Sequence, residues 1–294
     1  MMTPNIRSIL VTGAAGLLGR AVVPTLHSAG HRVVALDRVE GPVPDGVRPV
    51  VDDLSDRGRL EHLLDGIDTV VHCAAYATPQ AAREEVVFAG NVTATTNILL
   101  AAEATGISRF VYASSQSALG LAYAPRIIPP DSLPVDETHP CRPREGYALS
   151  KLVGEQICAM VAARSSVTVT ALRFPVIWTA ERFAEHTAKR LGDPAQAAKS
   201  QWAYVDVRDA ARACRLAIDR GGQEGFALYN IAAPWPFAMP EAETTLATVY
   251  GELPRLAGWH PGQAVLSPEK ARRELDFVAE WRWTPDAIER IVPA

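Results

Sequence analysis

The chain has 294 residues, 48% hydrophobic and 21% charged, with a formal net charge of −4. This is the balance of an ordinary globular protein with one large domain, or a large domain and a small companion, and its lack of a basic cluster argues against nucleic acid or an anionic membrane surface as partner. No apolar run approaches the roughly 20 residues needed to cross a bilayer, the N-terminus shows no secretory pattern, and Cys73, Cys141, Cys158 and Cys214 lack metal-site spacing, so free thiols in a reducing cytoplasm and no metal are expected.

Short apolar runs alternate with helix-length amphipathic runs along the first third. Ser8–Val11 reads as a buried strand. Leu18, Val22 and Leu26 recur at helical spacing up to Gly30, with Pro24 expected to kink that helix. Arg32–Leu36 and Val47–Val51 read as strands two and three, with a helix around Arg59–Leu64 after the latter. Thr69–His72 is a fourth strand, Ala82–Thr105 a long helix and Arg109–Ala113 a fifth strand. The proline-rich segment from Ser114 to Arg144 breaks the pattern, and a loop of this length in a compact domain is usually functional. A helix from Tyr147 to about Ala163 follows. Val167–Leu172 is a sixth strand, Val205–Asp219 a strand end plus helix, and Phe226–Ile231 a seventh strand.

Strands that are continuous apolar runs, separated by helices, imply parallel βαβ units with both sheet faces covered. The expected fold is therefore α/β, a doubly wound parallel sheet of Rossmann type with a small discontinuous substrate lobe. The sheet domain is read as residues 1–172 with 203–233. The lobe, which takes all six tryptophans, is read as 173–202 with 234–294.

Thr12-Gly13-Ala14-Ala15-Gly16-Leu17-Leu18-Gly19 follows the first strand and opens the first helix. Gly13 allows a tight turn, Gly16 lets backbone approach a pyrophosphate, and Gly19 permits close helix–strand packing. The phosphates would rest on the helix N-terminus. Asp37 ends the second strand 18 residues after Gly19, where a carboxylate can bond ribose hydroxyls and repel a 2′-phosphate. Arg38 can stack on adenine or hold that phosphate. NAD is expected, with NADP less favoured. Asp53 and Leu54 can flank the adenine, or Asp53 can cap the next helix.

Tyr147 and Lys151 lie four residues apart on one helical face. An ammonium beside a phenol favours the phenolate and is expected to lower the tyrosine pKa toward neutrality, making a general base for oxidising an alcohol.

The ordered set Thr12–Gly19, Asp53-Leu54, His72-Cys73-Ala74-Ala75, Asn91, Tyr112–Ser115, Tyr147-x-x-x-Lys151 and Leu172–Pro175 resembles the extended short-chain dehydrogenase/reductase family, in its sugar epimerase/dehydratase branch. The resemblance runs to about Ile231. It implies Ser115 as the residue that bonds the reacting oxygen, Tyr147 as the proton carrier, and Lys151 as the ribose-binding lysine. Ala74, Ala75 and Asn91 would line the cofactor, and Pro175 and Val176 would offer backbone to its carboxamide. The two long helices would form a homodimer interface.

Three departures bear on the substrate. Dehydratases of the family carry an Asp-Glu pair where this chain has Gln116 and Ser117, and neither side chain can act as acid or base in removing water. Val176 and Trp202 stand where nucleotide-sugar epimerases carry an asparagine and an arginine that hold a diphosphate. Either Arg182, Arg190, Arg208 or Arg255 takes over, or the substrate is smaller. Tyr76, Gln116, Ser117, Trp178 and Trp202 are the expected substrate contacts. The reading is NAD(P)-dependent hydride transfer at a secondary alcohol of a sugar or sugar nucleotide, of sugar epimerase type. The alternatives are a free-sugar or uronic-acid dehydrogenase, or a non-catalytic cofactor sensor on the same fold.

Overall fold

The computed structural model describes residues 6–183, 195–221, 225–237, 239, 241–284 and 287–291. The elements in chain order begin with β1 (Ser8–Thr12), α1 (Gly19–Ser28), β2 (Arg32–Asp37), β3 (Arg48–Val51), α2 (Arg57–Leu63), β4 (Thr69–His72), α3 (Glu84–Ala104), β5 (Arg109–Ser115), α4 (Gly146–Arg164) and β6 (Thr168–Phe174). They continue with β7 (Val176–Trp178), α5 (Ala195–Ala198), β8 (Tyr204–Asp206), α6 (Val207–Arg220), β9 (Phe226–Asn230), α7 (Ala242–Tyr250), α8 (Glu269–Leu275), β10 (Trp281–Trp283) and β11 (Ile288–Arg290).

Seven strands form one parallel sheet in the order β3-β2-β1-β4-β5-β6-β9. Alternate residues of each central strand enter opposite cores. Ile9, Val11, Val71 and Val111 pack with α1 and α6, whereas Leu10, Val70, Phe110 and Tyr112 pack with α2, α3 and α4. This two-sided burial is why the strands read as unbroken apolar runs. The strand order reverses between β1 and β4, and an open sheet binds its ligand outside the carboxyl ends of its strands at such a point.

Local differences from the sequence reading have local causes. α2 begins earlier than expected because Asp56, not Asp53, caps it by accepting from the Arg59 N–H at 3.2 Å. α1 runs without interruption through Pro24, and the Thr25 hydroxyl donates to the Ala21 carbonyl at 2.7 Å. α3 is apolar and 21 residues long, contrary to the expectation that no apolar run approaches bilayer-crossing length. Its Val87, Ile98 and Leu99 are fully buried, with Ile98 and Leu99 in the core shared with α4.

The proline-rich segment packs on residues from much later in the chain. Leu119, Leu121, Leu133 and Val135 share a cluster with Trp202, Leu246, Tyr250, Val265 and Leu266. Backbone bonds Leu133 N–H to Pro254 O (2.9 Å) and Val135 N–H to Val265 O (2.7 Å) join the two stretches. Conversely, Leu275, Phe277, Ala279 and Trp283, from the stretch read as lobe, pack into the sheet core beside α6.

Candidate active site

The turn after β1 is built for close backbone approach. Gly13 has φ +70°, and a Cβ there would lie 2.5 Å from Ala74 N and 2.7 Å from Ala74 Cα. The Gly16 N–H closes the turn onto the Gly13 carbonyl at 3.0 Å. No side chain caps α1, so the positive end of its dipole is open to an anion, while the Arg20 and Ala21 N–H groups donate to the Gly16 and Leu18 carbonyls at 3.0 Å. Asp37 braces this turn by accepting from the Ala15 N–H at 2.9 Å. Arg38 lies over the Tyr76 ring, 5.4 Å from its centroid.

Every residue assigned to the cofactor, from Gly13 to Val176, lines one cavity of about 920 Å³. Leu17, Leu18, Leu54, Pro175 and Val176 are among its lining residues. Asp53 lines the cavity but spends its carboxylate on Ser55, accepting from its N–H (2.9 Å) and its hydroxyl (2.6 Å), which holds its pKa below the usual range. Asn91 is fully engaged. Its amide oxygen accepts from Tyr76 N–H (2.7 Å), and its amide donates to Tyr76 O (3.2 Å) and to Ser150 Oγ (3.0 Å).

Ser115, Tyr147 and Lys151 line the same cavity. Ser115 ends β5, and its hydroxyl accepts from the Ser117 N–H at 3.1 Å while donating to Ser117 Oγ at 3.1 Å. Tyr147 lies in the first turn of α4. Glu145 caps that turn, accepting from the Tyr147 and Ala148 N–H groups at 2.6 and 2.8 Å, and Glu84 of α3 accepts from the Gly146 N–H at 2.7 Å. Lys151 lies one turn later and donates to the Ala113 carbonyl at 2.8 Å.

The electrostatics differ from the sequence expectation in one respect. Burial dominates at Tyr147 and pushes its phenol above the ordinary value, with the Ser115 hydrogen bond opposing. Lys151 produces no drop toward neutrality within the protein alone. Burial lowers the Lys151 ammonium itself to about 8. Beneath the site His72 is held neutral, its pKa pushed to about 3 by burial, with Thr12 and Thr95 hydroxyls at 2.7 and 3.2 Å from its ring nitrogens.

A family model, described as the NAD dependent epimerase/dehydratase family, matches residues 9–232. The chain belongs to that family. Among its relatives, the L-arabinose 1-dehydrogenase (NAD(P)(+)) of Haloferax volcanii is 34% identical over 60% of this chain and 70% of that protein. The 2-alkyl-3-oxoalkanoate reductase of Stenotrophomonas maltophilia is 31% identical over 83% and 76%. The structure of MoeE5 in complex with UDP-glucuronic acid and NAD aligns with a TM-score of 0.70 at 26% identity, covering 92% of this chain and 93% of that one. Family members are NAD-dependent, and the glycine turn, the uncapped α1 and Asp37 fit that cofactor.

Gln116 and Ser117 are in the cavity, where members with dehydratase activity would need an acid and a base. Trp178 and Trp202 do not reach it. Trp178 is 2% exposed, stacked on Tyr204 at 4.9 Å and edge-on to Phe237 at 4.4 Å. Trp202 is 1% exposed and meets Tyr250 at 5.3 Å. Both are core residues, because the short β7–β8 pair and the lobe need large apolar side chains to fill them. Trp178→Ala is expected to lower stability by about 3–5 kcal/mol, read as an earlier urea midpoint.

Of the arginines considered for a diphosphate, Arg182 lines the cavity. Arg208 pairs with Asp206 at 2.7 Å and Arg255 with Glu243 at 2.8 Å, both away from the cavity, and Arg190 lies outside the described residues. Sequence reasoning missed Tyr123, which meets the Tyr147 ring edge-on at 6.1 Å. It sits in the proline-rich loop, where no periodicity signals position.

Proposed function

We propose that this chain catalyses NAD(P)-dependent hydride transfer at a secondary alcohol of a sugar-like substrate, in the manner of a sugar epimerase. The observation that carries this reading is the convergence of Ser115, Tyr147 and Lys151 on one cavity that the glycine turn and Asp37 also line.

Tyr147 takes the hydroxyl proton as the alcohol is oxidised and returns it on reduction. Ser115, held by the Ser117 N–H, hydrogen-bonds the reacting oxygen and steadies its developing charge. Lys151 supplies positive charge to the Tyr147 phenolate and a donor to the cofactor ribose. Gly13 to Gly19 and Asp37 hold the pyrophosphate and adenosine ribose. When bound, the nicotinamide supplies the hydride acceptor. The amide Gln116 and the hydroxyl Ser117 favour oxidation and return over elimination.

A second reading, net oxidation of a free sugar or uronic acid, is favoured by one observation. Val176 is apolar and Trp202 is turned into the lobe core, so neither of these positions offers a diphosphate a polar contact. Denaturing the purified protein to look for released NAD, then supplying NAD with uronic acids, aldoses and nucleotide sugars, separates the two. Retained cofactor with a changed sugar and no net NADH means epimerase, and sustained NADH means dehydrogenase. Inertness toward all of them overturns both.

Asp37→Asn is expected to shift the kcat/KM preference toward NADP by at least about tenfold, since it removes one charge repelling the 2′-phosphate. An unchanged ratio would show that Arg38 dominates. Assembly as a homodimer through α3 and α4 is also proposed. Leu149 and Met160 stay exposed on α4, and the long apolar α3 is only partly buried. Light scattering should give twice the chain mass, and a monomer mass at micromolar concentration would exclude it.

A further inference from the structure

Directly below the catalytic side chains lies a buried ion pair with no role in the scheme above. Glu155 and Arg173 are 5% and 3% exposed. Arg173 Nε and Nη2 donate to the two Glu155 carboxylate oxygens at 2.8 and 2.7 Å, a bidentate contact. The Ser114 hydroxyl donates to Glu155 Oε1 at 2.6 Å, and Arg173 Nη2 also reaches Cys141 Sγ at 3.1 Å. Arg173 Nη1 is buried without a hydrogen-bond partner. Stability alone is a poor reason for such an arrangement, because packed apolar side chains of similar volume often do as well or better than a buried ion pair.

The placement points to chemistry. Tyr147, Lys151 and Glu155 recur every four residues on one face of α4. Ser114 immediately precedes Ser115, and Arg173 immediately precedes the Phe174-Pro175 wall of the cavity. The pair thus ties α4, the end of β5, the end of β6 and the proline-rich segment together around the reacting groups.

Titratable groups facing Lys151 are Tyr147, Glu155 and Cys158 from α4, His72 and Cys73 from the end of β4, and Tyr112 from β5. Glu155 is the one carboxylate among them. Burial holds His72 neutral and keeps the protons on Tyr112, Tyr147 and Cys158. Burial lowers the Lys151 ammonium, and Cys73 and then the Glu155 charge oppose it.

We propose that the Glu155–Arg173 pair is a positioning device for proton transfer: Glu155 keeps Lys151 in its ammonium form, while Arg173 balances that charge and locks the ends of β5 and β6 onto α4. This rests on the reading of Tyr147 and Lys151 as the proton-transfer pair.

The lysines of the chain are Lys151, Lys189, Lys199 and Lys270. So few signals let NMR of protein carrying ¹³C-lysine follow the Lys151 titration directly, with a Lys151→Arg variant for assignment. In Glu155→Gln the unbalanced Arg173 charge should lower the Lys151 midpoint by about one pH unit. In the double variant Glu155→Gln/Arg173→Met, where the pair is removed with no net charge change, the midpoint should recover part of that drop and stay below the wild-type position. Arg173→Met alone should raise it. An unmoved midpoint in Glu155→Gln, or a double variant whose midpoint is no higher than that of Glu155→Gln or no lower than that of the wild type, overturns the proposal. Should Glu155→Gln fail to fold, Arg173→Met decides, and a midpoint unmoved or lowered there overturns it. A merely structural pair predicts lost stability without shifts of opposite sign. No substrate is needed, so a wild-type protein inert toward every sugar would count against the proposed function and leave this titration readable.

Discussion

Tyr147→Phe is expected to lower kcat by roughly a hundred- to ten-thousand-fold, the usual contribution of a positioned general acid–base group, with NAD affinity unchanged. The phenol oxygen is the atom removed, and the ring, 7% exposed and edge-on to Tyr123, keeps its packing. Turnover of whichever sugar the wild-type protein accepts, set beside a calorimetric NAD titration, separates chemistry from binding. Full turnover by the variant would remove Tyr147 from the mechanism. A parallel loss of NAD affinity would mean instead that the hydroxyl holds the cofactor. Burial raises the Tyr147 pKa in the protein alone, so the residual charge of Lys151 matters to the rate, and Lys151 is itself lowered to about 8. The alkaline limb of the wild-type pH profile should accordingly fall as pH rises through that region, where the ammonium is lost.

Gly13→Ala is expected to weaken NAD binding at least thirtyfold. A left-handed backbone costs a non-glycine residue about 1–2 kcal/mol, and overpacking against a neighbour about 1–3 kcal/mol more. Together that is about 2–5 kcal/mol; in the free variant the turn relaxes away from the cofactor to relieve it, and restoring the turn on binding costs it again, 2 kcal/mol being already about thirtyfold in affinity. The neighbour at Gly13 is Ala74 backbone at 2.5 and 2.7 Å, which has no rotamer to change. Gly30→Ala is the control. Gly30 also has a left-handed φ, +90°, but nothing lies within 4 Å of its added Cβ, so only stability should suffer. Fluorescence titration with NADH reads both, and equal NAD affinity in the two variants would show that backbone approach at Gly13 is not what binds the cofactor.

The parallel sheet was legible in the sequence because its strands are buried on both faces and so appear as unbroken apolar runs. The same holds for residues whose role follows from spacing. Gly13, Gly16 and Gly19 mark a turn at a strand–helix junction, and Tyr147 and Lys151 share a helical face whatever the helix packs on. Trp178 and Trp202 were not legible in this way. An isolated tryptophan reads equally as a stacking surface or as core, and its direction depends on the β7–β8 pair and the lobe, which form through long-range contacts. The proline-rich segment was similarly opaque. Its Leu133 and Val135 are paired by backbone bonds to residues more than a hundred positions later.

Taken alone, the sequence determined the doubly wound fold and the absence of an acid–base pair at Gln116 and Ser117, and it singled out the glycine turn and the Ser115, Tyr147 and Lys151 side chains that line one cavity. These rest on local periodicity and residue chemistry, which are properties of short stretches. Only the tertiary structure decided that Trp178 and Trp202 are core, that the proline-rich loop packs on residues more than a hundred positions later, and that burial raises the Tyr147 phenol. It also revealed the Glu155–Arg173 pair. Desolvation and side-chain direction depend on every neighbour at once, and those neighbours come from parts of the chain far apart in sequence.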